Sequence, residues 1–132
     1  MASVRGRGNA STEGVLVDLF RSAGLRGWRR HVSLPGRPDF SFRVAKVAVF
    51  VDGCFWHGCP RCGRVPASNV AYWREKIARN RRRDRAASQA LRRRGWKSVR
   101  VWEHSLRRLA AQRRVVLRLK RVLRGTRERG EG

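Results

Sequence analysis

Lysine and acid are both scarce in this 132-residue chain. Lysine stands only at Lys46, Lys76, Lys97 and Lys120, so the other 29 of the 33 basic residues are arginine. Against them are only 9 acids, which leaves a formal net charge of +24. So large an uncompensated charge on so small a body calls for a polyanionic partner. Nucleic acid fits best, because guanidinium forks pair with phosphate in two-pronged geometry and displace condensed counterions. A coding bias toward arginine would explain the residue choice but not the sign of the charge. Long apolar runs are also missing. The longest is Val47 to Val51, far short of the roughly 20 residues that span a bilayer. The opening stretch "MASVRGRGNASTEG" has no apolar segment of the secretory-signal kind. We therefore expect no membrane partner and a cytoplasmic, nucleoid-associated location.

Cysteine is both rare and odd in number: Cys54, Cys59 and Cys62 cannot all pair with one another. In a reducing compartment such closely spaced thiols serve more often as metal ligands or reactive groups than as disulfides. They share one stretch, "VDGCFWHGCPRC" (51–62), with an acid, a histidine and two large aromatics. Three thiols in so short a loop can wrap one tetrahedral zinc but leave it one ligand short. His31, His57 and His104 are the candidates. His57 lies within the loop but is free to turn away from it. His104 follows the strand-like "VRVW", where a sheet end can meet the loop, and is preferred. The plainer reading makes the cysteines small core residues or reduced surface thiols.

The chain is long enough for one core and too short for two. We expect a disordered N-terminus over 1–10, a single domain over 11–124 and a frayed tail over 125–132. "STEGVLVDLFRSAG" has helical spacing at Leu16, Leu19, Phe20 and Ala23, with Ser11 or Thr12 as its cap and Glu13 in its first turn. "WRRHVSL", "DFSFRV" (Phe40, Phe42 and Val44 alternating) and "VAVFV" read as adjacent strands separated by the turn "PGRP". A helix capped by Ser68 follows, from about Asn69 to Arg94, and Gly95 ends it. "WKSVRVW" is a further strand. "SLRRLAAQRRVVLRLKRVLRG" is a basic amphipathic helix with Leu106, Leu109, Val116 and Leu123 as expected core contacts. This order predicts an α/β sandwich with a mixed sheet flanked by helices.

If "DFSF" and "VAVFV" pair as a hairpin, Asp39 and Asp52 fall at the same sheet edge. Two carboxylates there suit Mg²⁺, a hard cation that takes oxygen ligands and supports phosphate chemistry. On the long helix, Trp73, Ile77, Asn80, Asp84, Ala87 and Leu91 share one face. Asp84 on that face either looks onto a polar site or forms an ordinary ion pair with an arginine. Phe55, Trp56 and Trp73, beside arginines, either wedge between base steps or cover the metal loop as a small core.

Taken together, "LPGRPDF", "VFVDGCFWHGCP", "YWREKIARNRRRD" and "GWKSVRVWEHSL" resemble the very short patch repair (Vsr) mismatch endonucleases over about Thr12 to Leu106. The resemblance implies a restriction-endonuclease-like three-layer core with a structural zinc loop. It also implies Mg²⁺-dependent nicking of double-stranded DNA, 5′ of the thymine in a T·G mismatch. By position, Asp39 and the Val51 backbone carbonyl would hold Mg²⁺, and His57 would act at the phosphate. Glu13 and Asp84 would hold waters, with Asn80 nearby. Phe55, Trp56 and Trp73 would intercalate, and Arg37 in "PGRP" would contact DNA. Cys54, Cys59, Cys62 and His104 would hold Zn²⁺. Two departures stand out. The lysine that nucleases of this superfamily often carry after the second acidic position is absent, and Asp52 stands where some members have histidine. Asp52 is thus left between ligating metal and acting on water. We expect a monomer. The rival readings are a related nickase with another target and a non-catalytic zinc-stabilised nucleic-acid-binding module.

Overall fold

The computed structural model describes residues 10–54, 59 and 66–131, with side chains over 12–54, 59 and 66–125. The expected tail from 125 overlaps the end of the last helix, and the expected disordered segment lies almost wholly outside these residues. Helix α1 (Ala10–Ser22) buries Leu16 and Phe20, one turn apart, on its sheet-facing side. Ser11 and Thr12 lie inside this helix, so neither is its cap; Glu13 is still in the first turn. The helix stops at Gly24, whose left-handed φ of 73° lets its amide reach Arg21 and the next amide, of Leu25, reach Phe20.

Among the described residues four strands form one sheet in the order β1-β2-β3-β4: β1 (Trp28–Arg30), β2 (Phe40–Phe42), β3 (Val47–Asp52) and β4 (Lys97–Trp102). The first two pairings are antiparallel and the third is parallel. β3 is buried along its whole length, as its unbroken apolar run requires of a central strand covered on both faces. Val47, Val49 and Val51 pack on one side with Phe40, Phe42, Leu16, Phe20 and the third helix. Ala48 and Phe50 pack on the other with Leu91 of helix α2 (Val70–Arg93). The result is a mixed α/β fold with helices on both faces of the sheet.

Several sequence expectations shift. β1 is shorter than "WRRHVSL" because His31 takes a left-handed φ of 53° and leaves the strand. Val44 does not continue the β2 alternation. It sits in the turn before β3, 93 % exposed. Asn69, not Ser68, occupies the cap position of α2, with a left-handed backbone and no side-chain capping bond. Gly95 does end that helix: its amide bonds to Arg92, and that of Trp96 to Leu91. A single 3₁₀ turn (Glu103–Leu106) precedes helix α3 (Leu109–Glu131) and resets its phase. Leu106 is buried, but in that turn. In α3 itself Val115 and Leu119 face the core and Leu109 is 62 % exposed. Leu123 packs against the core from the side.

Candidate active site and metal centre at one end of the sheet

The hairpin register pairs Phe40 with Val49, which puts Asp39 beside the far end of β3. There its Oδ2 accepts the Val51 amide at 2.7 Å. Pro38, fully buried, precedes it, and the tight turn at Gly36 packs against α2 and Phe50. A Cβ on Gly36 would come within 2.7 Å of the Ala87 methyl, so only glycine fits this approach.

α1 delivers Glu13 to the same place, also buried. Its Oε1 accepts Arg30, the last residue of β1, and lies 3.4 Å from His31 Nε2. The His31 amide donates to the Asp39 carbonyl at 3.2 Å, extending the β1–β2 ladder by one bond. Ligand atoms of Glu13, His31 and Asp39 thus all fall within 4.8 Å of one another. Burial pushes the Asp39 carboxyl up to about 6, because its charged form is poorly solvated. The Val51 amide opposes that shift, the Glu13 carboxylate reinforces it, His31 opposes it and Asp52 reinforces it more weakly.

Asp52 ends β3 at the same edge, as the hairpin reading expects, but it turns to Arg100 on β4, whose Nη1 lies 2.9 Å from its Oδ1. The same Nη1 lies 3.7 Å from Asp84 Oδ1 on α2. Asp84 is therefore paired with an arginine of the sheet. Arg100 also stacks on Phe50, 4.1 Å above the ring centre. Trp73 and Asn80 lie on the partly buried face of α2 with Asp84. The Trp73 ring packs edge-on against Tyr72, and Asn80 accepts a bond from Arg83 at 3.1 Å. Arg37 is exposed in the turn before Asp39, with a left-handed φ of 52°.

The parallel register pairs Asp52 with Trp102, so the loop after β3 and the 3₁₀ turn after β4 leave the sheet side by side. Cys54 Sγ and Cys59 Sγ lie 3.4 and 3.7 Å from His104 Nδ1. A tetrahedral zinc with ordinary bond lengths requires sulfur-to-nitrogen edges of about 3.6 Å, so the donor set and spacing both fit that ion. Cys62, the remaining expected ligand, lies outside the described residues, as do Phe55, Trp56 and His57.

Sequence reasoning missed the place of His31 beside Asp39 and the role of Arg100. His31 was readable from a hairpin folded across "PGRP", which sets it against Asp39. Arg100 alternates with inward-facing Val99 and Val101, and a parallel β3–β4 register would have put it on the face of Phe50 and Asp52.

The described residues thus bring together, in a protein of the α/β class, two groups that could hold a metal ion: Glu13, His31 and Asp39 at the sheet end, and Cys54, Cys59 and His104. A family model described as DNA mismatch endonuclease Vsr matches residues 1–62. The type II nicking enzyme V.XorIIP of Xanthomonas oryzae pv. oryzae is 40% identical over 113 residues, 84% of this chain and 82% of that protein. The type II nicking enzyme V.NaeI of Lentzea aerocolonigenes is 54% identical over 68 residues, 52% of this chain and 41% of its own length. The DNA mismatch endonuclease Vsr of Escherichia coli is 40% identical over 94 residues, 70% of this chain and 60% of its own. The chain thus spans less than two thirds of two of these relatives. It belongs to the Vsr family of DNA mismatch endonucleases.

Proposed function

We propose that this chain is a divalent-metal-dependent DNA endonuclease that nicks one strand 5′ of the thymine in a T·G mismatch. The observation that carries the reading is Asp39, a buried carboxylate beside Glu13 at the edge of a mixed sheet. A buried acid cluster of this kind is stabilised when a cation joins it, and carboxylate oxygens are the donors Mg²⁺ prefers. The core would be a restriction-endonuclease-like three-layer sandwich forming one domain over 11–124. It would work as a monomer on nucleoid DNA in the cytoplasm. Among the described residues no helix is long and apolar enough to cross a membrane.

In this reading Asp39 and the Val51 carbonyl hold Mg²⁺, which supplies Lewis-acid activation of the scissile phosphate when bound. His57 handles the proton at the phosphate, and Glu13 and Asp84 orient water. Asp52, ion-paired with Arg100, either ligates metal or acts on water. Phe55, Trp56 and Trp73 wedge beside the mismatch, Asn80 and Arg37 contact the strand, and the remaining arginines track phosphates. Zn²⁺ on Cys54, Cys59, Cys62 and His104 joins the loop that carries His57 to the end of β4, fixing the geometry of both.

The names of V.XorIIP and V.NaeI support a second reading, a nicking enzyme of the same chemistry with another target. Relaxation of supercoiled plasmid carrying one T·G mismatch tests the first reading. Open-circular product formed with Mg²⁺ and absent with Asp39→Ala is expected. Linear product, or relaxation unaffected by Asp39→Ala, contradicts it. Equal nicking of the matched plasmid transfers the case to the second reading.

A further inference from the structure

Glu13 and Asp39 supply only oxygen donors, yet the third group beside them is an imidazole. His31 reaches this position through an unusual backbone. Its left-handed φ of 53° is uncommon for a residue other than glycine, and it ends β1 while the amide stays bonded to Asp39. The ring is thereby set with Nε2 3.4 Å from Glu13 Oε1 and within 4.8 Å of a carboxylate oxygen of Asp39. A simple surface ion pair with Glu13 would not require a donor from each of three separate elements to converge. His31 is also the most open of the three, its side chain 38 % exposed over the two buried acids, so a cation held here keeps a face toward solvent and substrate. Arg30, on the same Glu13 oxygen, balances part of the acid charge from the side.

We propose that His31 is a ligand of the catalytic divalent cation, adding a nitrogen to the oxygen donors of Asp39 and the Val51 carbonyl in a set that favours Mn²⁺ and similar transition-metal ions over Mg²⁺, with Glu13 holding water beside it. The inference rests on the reading of Asp39 as the residue that holds that cation. Imidazole nitrogen is a good ligand for first-row transition ions, whereas Mg²⁺ takes oxygen almost exclusively. Loss of the nitrogen therefore penalises the two ions unequally. Nicking with either ion is compatible with the site; tighter Mn²⁺ binding is what the imidazole adds.

The test uses the full chain loaded with zinc at neutral pH. Mn²⁺ is titrated against the wild type and His31→Ala, His31→Gln and Asp39→Asn variants, with free Mn²⁺ read by electron paramagnetic resonance and Mg²⁺ affinity read by competition. His31→Ala and His31→Gln are expected to weaken Mn²⁺ binding by roughly tenfold or more, with a much smaller change for Mg²⁺. Asp39→Asn should abolish both. Bound Mn²⁺ should also show a nitrogen hyperfine coupling in the wild type that both His31 variants lose. Circular dichroism and zinc content report folding separately. Wild-type Mn²⁺ affinity and an unchanged nitrogen coupling in the His31 variants, with binding still lost in Asp39→Asn, would overturn the role of His31 and leave the proposed function intact. Binding unaffected by either position would overturn both.

Discussion

Arg100 and Asp52 join the two parallel strands at the edge where the carboxylates collect, Nη1 to Oδ1 at 2.9 Å. The Arg100 side chain is about three-quarters buried, and its guanidinium lies over Phe50 and also faces Asp84. A charge-assisted bond in this setting is stronger than a surface pair, and removing the guanidinium withdraws part of the compensation of a buried acid. Asp52 therefore already has its cation, built into the chain. This separates two acids that the sequence presents as equivalent: Asp52 is ion-paired with Arg100, whereas Asp39 accepts the Val51 amide.

Replacing Arg100 with leucine should lower stability at neutral pH by about 2–3 kcal/mol, since two partly or fully buried acids, Asp52 and Asp84, lose this ion-pair partner. Combining Arg100→Leu with Asp52→Asn should recover at least half of that loss. Urea unfolding of the single and double variants measures both. A single-variant loss under about 0.5 kcal/mol would show that the pair contributes no more than an exposed one.

Asp39 predicts a gain in stability on mutation. Its folded-state value of about 6 lies above the ordinary 3.8, so the folded protein holds a proton over that window that the unfolded chain has released. Stability accordingly falls as pH rises from about 4 to about 6 and stays lower above it. Asp39→Asn can still accept the Val51 amide and avoids the buried charge. In metal-free buffer above pH 6 it should be more stable than wild type by about 2–3 kcal/mol, with the difference vanishing toward pH 3. Divalent cation should narrow the gap by stabilising only the wild type. Nicking and cation binding by the wild type should both decline as pH falls through about 6. Equal stability of the two proteins at pH 8 would contradict the buried-charge account.

The cysteine cluster makes a prediction about metal content. Wild-type protein purified without chelator should carry about one zinc per chain, and Cys54→Ser or His104→Ala should carry close to none. Cys54→Ser should also lose most of its folded population, with added Mg²⁺ giving no rescue, because hard cations do not replace zinc on thiolates. Elemental analysis together with circular dichroism checks it. Full zinc content in His104→Ala would remove that residue from the set.

Features encoded in local pattern are legible from the sequence: the paired strands around "PGRP", the central strand in "VAVFV", the glycine stop at Gly95 and the shared edge of Asp39 and Asp52. Less legible are features set by tertiary packing or by one unusual backbone angle. The left-handed turn at His31 shortens β1 and redirects an imidazole, and no propensity signals it. The 3₁₀ turn at Glu103–Leu106 shifts the phase of α3, which a search for periodicity in one continuous segment cannot detect. Arg100 reads as one more surface base among 29 arginines until the β3–β4 register brings it to Asp52.

The central claim is metal-dependent nicking beside a mismatch. Its most direct test is a strand-resolved cleavage assay with Mg²⁺ on end-labelled duplexes carrying either one T·G mismatch or the matched T·A pair, using wild type and Asp39→Asn. The account predicts a single nick 5′ of the mispaired thymine, at least about a hundredfold slower with Asp39→Asn and absent from the matched duplex. Zinc-loaded, folded wild type that binds both duplexes and cuts neither with Mg²⁺ or Mn²⁺ would contradict it.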